Sequence, residues 1–269
     1  MRYTGIQPQY FPRLHYFARI LAADLFCVRD DVQFVRRHKY PDGKNGPSYQ
    51  AHSPIKLSSG IYFQAVPISH GSLTSIDETN INYKENWTNS HIYTLKTAYG
   101  RAPNFAVIFP EVKSVLEKKY ETLAQLNLKT ILWGVLRLLG ESNVTDDKLT
   151  LDYVNDKLSR PHGFRLKEIK LAIKLKVTKK FKNMTANEKI IAIFKELGAT
   201  EDYCGGTAMT AYVDKALFDR NNIKITVQDW KCQKYPQQFD KKVGFIPNLA
   251  IIDLLMNVPH EVAVKIING

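Results

Sequence analysis

The residues 6–17 read "IQPQYFPRLHYF" and place Gln7, Gln9, Tyr10 and His15 within nine positions, between Pro8 and Pro12 and an apolar run. Glutamine offers both a donor and an acceptor, which suits reading a sugar hydroxyl or an amide. An imidazole whose free pKa lies near neutrality can carry a proton. Where a strand hands over to a helix, the first N–H groups of the helix lack intrahelical partners and its positive end favours an anion. The four residues therefore form a candidate ligand site, with His15 as its proton carrier. The competing reading is structural: the prolines shape a turn whose polar groups satisfy its own backbone.

A second cluster follows: Asp30, Asp31, Gln33 and Arg36. On an extended strand, alternation sends Asp31 and Gln33 to one face and Asp30 to the other. Asp31 is the candidate base or orienting carboxylate, and Asp30, Gln33 and Arg36 are candidate substrate contacts. An ion pair such as Asp31 with Arg36, locking the turn, is the structural alternative. Adjacent carboxylates also suit a hard cation such as Mg²⁺, but the sequence supplies no further ligands and no metal is assigned. Later, Gly205, Gly206 and Thr207 precede a helical pattern. A glycine pair lets backbone N–H groups approach a phosphate or carbonyl closely, although the Lys–Ser/Thr ending of a phosphate loop is absent. Asp229 and Trp230 close an apolar strand pattern, where Trp230 can stack on a sugar or base.

The chain has 269 residues and a formal net charge of +12. Much of that charge is local: residues 161–182 hold eight Lys or Arg and one Glu, a net of +7. Lys174, Lys176, Lys179 and Lys180 in this stretch are candidate contacts to a polyanion such as tRNA, and a solvated basic face is the plainer account. The three cysteines, Cys27, Cys204 and Cys232, are far apart and lack metal-ligand spacing, which predicts free thiols in a reducing compartment. No signal peptide opens the chain and no apolar run is long enough to span a bilayer. Cytoplasmic localisation without integral membrane association is the expectation.

These residues need elements to position them. Residues 3–7 read as a first strand, and Leu14, Phe17, Ile20 and Leu21 recur at helical spacing. A second strand starts at Leu25 or Phe26. This is a βαβ opening, which predicts a parallel pair with ligands at the strand ends. "IYFQAVPI" (61–68) reads as a strand. Helices are predicted from Ser90 to about 99, over 105–120 and over 121–139, giving a helical middle portion of about 88–140. Residues 145–156 suit a helix or a hairpin, and "KLAIKLKVTKK" (170–180) suits a strand. "TANEKIIAIFKELGA" has Thr185 and Glu188 at capping-box spacing and Gly198 as its stop. A helix around Tyr212, Leu217 and Phe218, a strand from Ile223 to Trp230, and one or two closing helices complete the chain. The fold class expected is α/β: one domain over residues 1–269 around a mostly parallel sheet with flanking helices.

Several blocks resemble the WbqC-like family of bacterial proteins, which is found with surface polysaccharide and other glycan biosynthesis functions. They are Gln7, Pro8, Tyr10, Pro12, Tyr16 and Phe17; Ala23, Asp24, Asp30 to Gln33 and Arg36; Ile55, Lys56, Gly60 and Pro67; Tyr99, Ala102, Pro103 and Phe105; Tyr203, Gly205 and Tyr212 to Phe218; and "NLAIIDLLMNV". The likeness covers most of the chain except roughly 141–182, which reads as a basic insertion. The chain departs from the pattern at His15, where relatives usually carry glycine. It departs again at Ala51, His52 and Ser53, where an Asn-Arg-Asn run is usual. The opening is also distantly similar to nucleotidyltransferase-like folds, in which the loop and helix start hold phosphates and paired histidines stabilise the leaving phosphate; here one histidine stands.

What the resemblance implies is a group-transferring enzyme of glycan or related small-molecule biosynthesis, acyl or aminoacyl transfer preferred. Its substrate would be nucleotide-linked or otherwise anionic, and no cofactor is indicated. The alternatives are a nucleotidyltransferase, or a non-catalytic protein that binds tRNA, another nucleic acid or a polysaccharide-assembly complex.

Overall fold

The computed structural model describes residues 1–39, 43, 45–69, 74–206 and 214–269. Chain order within it is β1 (Arg2–Ile6), α1 (Leu14–Leu21), β2 (Leu25–Val28), two small hairpins β3 (Arg37–Lys39) with β4 (Asn45–Pro47) and β5 (His52–Leu57) with β6 (Gly60–Ala65), then α2 (Trp87–Tyr99), α3 (Phe105–Glu117), α4 (Leu123–Leu138) and α5 (Leu151–Leu158). The chain continues through β7 (Glu168–Leu171), α6 (Ala186–Leu197), β8 (Glu201–Cys204), α7 (Lys215–Arg220) and β9 (Lys224–Val227). It ends in α8 (Asp240–Val243), α9 (Ile251–Asn257) and α10 (His260–Asn268).

The central sheet has five strands in the order β7-β2-β1-β8-β9, and every pairing in it is parallel. An α/β class with flanking helices is thus what the chain adopts. The strand "LFCV" of β2 is buried at all four positions, as a parallel strand covered on both faces must be. Alternation divides it: Phe26 and Val28 join a large core with α1, α4 and the C-terminal helices, while Leu25 and Cys27 join Tyr3, Phe194 and Phe218 under α6 and α7.

Sheet growth reverses direction after β1. It runs outward through β2 to β7, then resumes on the other side of β1 with β8 and β9. Connections on the two sides diverge there, which makes the carboxyl ends of β1 and β8 the topological switch point, the position at which open α/β sheets take their ligands.

Local sequence explains most of the elements. Thr185 and Glu188 make a reciprocal capping box at the start of α6, and Gly198 ends it in the left-handed conformation (φ 65°). Of the helix and the hairpin expected for residues 145–156, the helix forms, as α5. Three expectations need correcting. Helix α2 begins at Trp87, upstream of Ser90, with Asn86 at its cap. The strand expected over 170–180 stops at Leu171 and gives way to 3₁₀ turns at Ala172–Lys174 and Lys176–Asn183, because its partner β2 ends at Val28, opposite Leu171. Strand β2 ends at Val28, so residues 30–33 lie in a turn and the alternation expected of Asp30, Asp31 and Gln33 does not apply. Tyr212 lies outside the described residues.

Candidate functional site

The loop joining β1 to α1 is held from below by α4. Asn127, wholly buried, donates from Nδ2 to the carbonyls of Pro8 (3.0 Å) and Gln50 (2.7 Å). Thr130 Oγ1 accepts the Phe11 N–H at 3.0 Å, and Ser53 Oγ donates to the Phe11 carbonyl at 3.2 Å. These bonds hold Phe11 at φ 37°, a conformation costly for a residue with a bulky side chain. Tyr10 is corrected from substrate contact to core residue: it is 0% exposed, its hydroxyl is bonded to His91 Nδ1 at 3.0 Å, and its ring packs on Phe11 and Trp87. Gln7 and Gln9 stay partly exposed at the head of the loop.

The start of α1 is not an open anion site. The Leu14 N–H donates to the Leu249 carbonyl (3.1 Å), the Tyr16 N–H to the Arg13 carbonyl (3.1 Å), and the His15 N–H to Asn248 Oδ1 (3.0 Å). Asn248 therefore caps α1 from the far end of the chain. It does so from a left-handed conformation (φ 56°) that asparagine tolerates, with its own N–H on Cys232 Sγ at 3.2 Å.

The same Oδ1 lies 3.0 Å from His15 Nδ1. A backbone N–H can only donate, so the atom facing both groups must be the amide oxygen, and Nδ1 must carry the imidazole proton. Nε2 is then a bare lone pair, and among the described residues it has no hydrogen-bond partner. Burial, reinforced by the nearby Arg19 and Arg13 guanidinium groups, lowers the His15 pKa to about 4 despite the opposing Asn248 bond. The imidazole is neutral at physiological pH.

One helical turn on, Arg19 points across the carboxyl ends of β1 and β8. Its Nε donates to Gln228 Oε1 at 2.9 Å, and Gln228 Nε2 donates to the His15 carbonyl at 3.0 Å. The Gln228 N–H in turn bonds the Cys204 carbonyl at 2.9 Å, so one side chain ties α1 to the ends of β8 and β9. A Cβ on Gly205 would fall 2.5 Å from Arg19 Nη2; the glycine makes room for the guanidinium. The Asp202 carboxyl is pushed up to about 7 by burial, which outweighs Arg19 and Arg29.

The other candidates scatter. Asp31 sits in a two-bond fork with Arg29 (2.7 and 2.8 Å), so the pair that locks this turn is Asp31–Arg29 and not Asp31–Arg36. Asp30 is buried, accepts the Ile173 N–H at 3.1 Å, and is raised to about 6 by desolvation. Gln33 and Arg36 are exposed. Gly206 follows Gly205 at the end of β8, and Thr207 lies outside the described residues. Asp229 and Trp230 line a separate cleft of about 520 Å³ along α1 with Ala18, Ala22 and Tyr203, and the Trp230 indole is fixed by a 3.0 Å bond to the Ile266 carbonyl. Lys174, Lys176, Lys179 and Lys180 are all exposed on the 3₁₀ turns. Among the described residues no group of His, Cys, Asp and Glu is placed to hold a metal ion, and no helix is long and apolar enough to cross a membrane.

The family model described as the WbqC-like protein family matches residues 7–160 and 162–264. The chain belongs to the WbqC-like protein family. The match runs through the stretch expected to be an insertion, and that stretch supplies α5 and the sheet-edge strand β7. The WbqC-like chain is also 27% identical, over 260 residues, to a Mycobacterium tuberculosis (strain ATCC 25618 / H37Rv) protein described as uncharacterized protein Rv1507c; the alignment covers 95% of this chain and 93% of that one. No solved structure matches it.

Within this family member the structure joins His15 to Gly205 and brings in three residues the sequence did not single out for the site: Arg19, Gln228 and Asn248. Arg19 was legible in principle, since positions i and i+4 of a helix share a face. Asn248 was not, because it reaches His15 from 233 positions away.

Proposed function

We propose that this WbqC-like protein is a group-transferring enzyme of glycan or related small-molecule biosynthesis, acting on a nucleotide-linked or otherwise anionic precursor. The observation that carries the reading is the neutral His15 imidazole at the topological switch point, with Nδ1–H fixed on Asn248 and Nε2 unoccupied. The family setting favours acyl or aminoacyl transfer. In that reaction Nε2 accepts the proton of an attacking amine or hydroxyl as the new bond to the acyl carbon forms. The proton then passes to the leaving group as its bond to that carbon breaks. A base with a pKa of about 4 is weak in the empty site, and a bound anion strengthens it by offsetting the Arg19 and Arg13 charges. Asp31 is the less suitable base, because both its oxygens already accept from Arg29.

Native mass spectrometry of gently purified protein, followed by identification of what it carries under denaturing conditions, tests this reading. A nucleotide-linked or activated acyl compound, lost together with turnover in His15→Ala, is the expected result. Full turnover in His15→Ala, with the compound that co-purifies as substrate, would remove the assignment.

A second reading has its own observation. Lys176, Lys179 and Lys182 recur every third residue on a 3₁₀ stretch, so their side chains form one exposed row. Such a row suits the phosphates of an RNA carrier of the donor group. Salt-dependent RNA binding that vanishes when Lys174, Lys176, Lys179 and Lys180 are neutralised supports it, and no RNA binding at low salt excludes it.

A further inference from the structure

Arg19 is a partly buried guanidinium with five N–H donors, and only Nε is used, on Gln228. Among the described residues, Nη1 and Nη2 make no hydrogen bond. These nitrogens are not among the buried polar atoms without a partner, so they reach solvent, and the nearby Asp202 does not claim them in an ion pair. The arginine is held in this state from two sides. Gln228 fixes its Nε and is itself fixed to the His15 and Cys204 backbones, while Gly205 leaves the space into which the terminal nitrogens extend. The guanidinium lies against Gly205, just past the carboxyl end of β8, and Arg19 shares a helical face with His15.

We propose that Arg19 and Gly205 form a phosphoryl subsite, in which Nη1 and Nη2 make a two-bond fork to the phosphate or pyrophosphate of the substrate. A planar guanidinium matches two oxygens of a phosphoryl group, and partial burial of its stem strengthens such bonds relative to a fully exposed arginine. The subsite rests on the reading of the switch point as the substrate site, and it names the part of the substrate bound there. It also assigns to Arg19, and not to the exposed Arg36, the basic contact to the anion.

Isothermal titration calorimetry with inorganic phosphate, inorganic pyrophosphate, uridine diphosphate and acetate tests it. Pyrophosphate or uridine diphosphate should bind the wild-type chain with saturable heat, and tighter binding of the diphosphate nucleoside would identify a nucleotide as the source of the phosphoryl group. Arg19→Gln and Arg19→Lys should each weaken binding by about tenfold or more, the lysine because it loses the fork. Gly205→Ala should do the same by displacing the guanidinium, and it keeps the proposal testable if the arginine variants fold poorly. Arg101→Gln, on the exposed surface after α2, should bind as wild type. No phosphoryl binding by the wild type, equal binding in Arg19→Gln, or acetate bound as tightly as pyrophosphate would each overturn the assignment. Binding is read without turnover, so a phosphoryl site that stands while no transfer is found would count against the enzyme reading alone.

Discussion

Two cations of this chain, one wholly and one partly buried, are handled in opposite ways. Lys56 on β5 is 0% exposed, and its ammonium donates to Gln237 Oε1 (3.0 Å), Asp240 Oδ1 (2.6 Å) and the Gly244 carbonyl (2.6 Å). An ammonium has three protons, so nothing is left over. The neighbouring Asp253 is closed in the same way by the hydroxyls of Tyr99 (2.9 Å) and Tyr235 (2.8 Å). Together these bonds fasten the segment 235–253 to β5 and α2, and that segment delivers Asn248 to His15. Arg19 uses one donor of five. A satisfied buried network specifies a structure, whereas a cation fixed through one donor, with its other donors open to solvent, is placed to take a ligand. The first region is a clamp and the second a seat.

That contrast fails if the two cations respond alike to removal. Lys56→Met strands Asp240 and Gln237 and should lower the unfolding free energy by about 2–4 kcal/mol, the half-exposed Asp240 keeping it below the cost of a fully buried pair. Urea denaturation measures this, and a loss near zero would make Lys56 no clamp.

Asp202→Asn should act through pH. In the native state Asp202 keeps its proton up to about pH 7, while an unfolded aspartate releases it near the usual value of 3.8. Over that window the native state binds more protons, so this group's contribution to stability is complete below about 3.8 and is lost as pH rises towards 7. The variant should therefore gain on the wild type as pH rises, by on the order of 1 kcal/mol per pH unit at most. His15, His52 and His91, each lowered to about 4 by burial, pull the other way in both proteins and cancel in the difference. A difference that stays flat from pH 4 to 7 would mean that Asp202 is ionised throughout.

Asn248→Ala removes the cap of α1 and should cost about 1–2 kcal/mol in the same denaturation experiment. Arg19→Gln should change stability least, by about 0.5 kcal/mol in either direction, because one hydrogen bond is exchanged for the removal of an unpaired charge. A loss as large as that of Lys56→Met would place Arg19 among the structural residues and end the comparison.

The sequence carried local information well. Helix α6 was written in Thr185, Glu188 and Gly198, and the βαβ opening in the switch from alternating to helical spacing after Pro12. The candidate site was legible only at its first residue. His15 stood out by type and position, but its tautomer depends on a side chain 233 positions away, and Arg19 reads as an ordinary surface residue until β8 and β9 are laid beside α1. The expected anion site at the start of α1 failed for the same reason: its N–H groups are claimed by Asn248 and Leu249, which no local pattern connects to it. In the basic stretch, partial alternation suggested a strand where 3₁₀ turns form, since no local pattern tells that the partner strand β2 ends opposite Leu171.

The central claim is that His15 is a neutral imidazole with Nδ1 protonated and Nε2 kept open at the switch point. A long-range proton–nitrogen NMR spectrum of histidine-labelled protein, followed over pH, tests it directly. The account predicts an Nδ1–H tautomer that titrates near pH 4 and shifts upward when pyrophosphate is added. An Nε2–H tautomer, or a titration near the free value of 6.5 that pyrophosphate does not move, would contradict it.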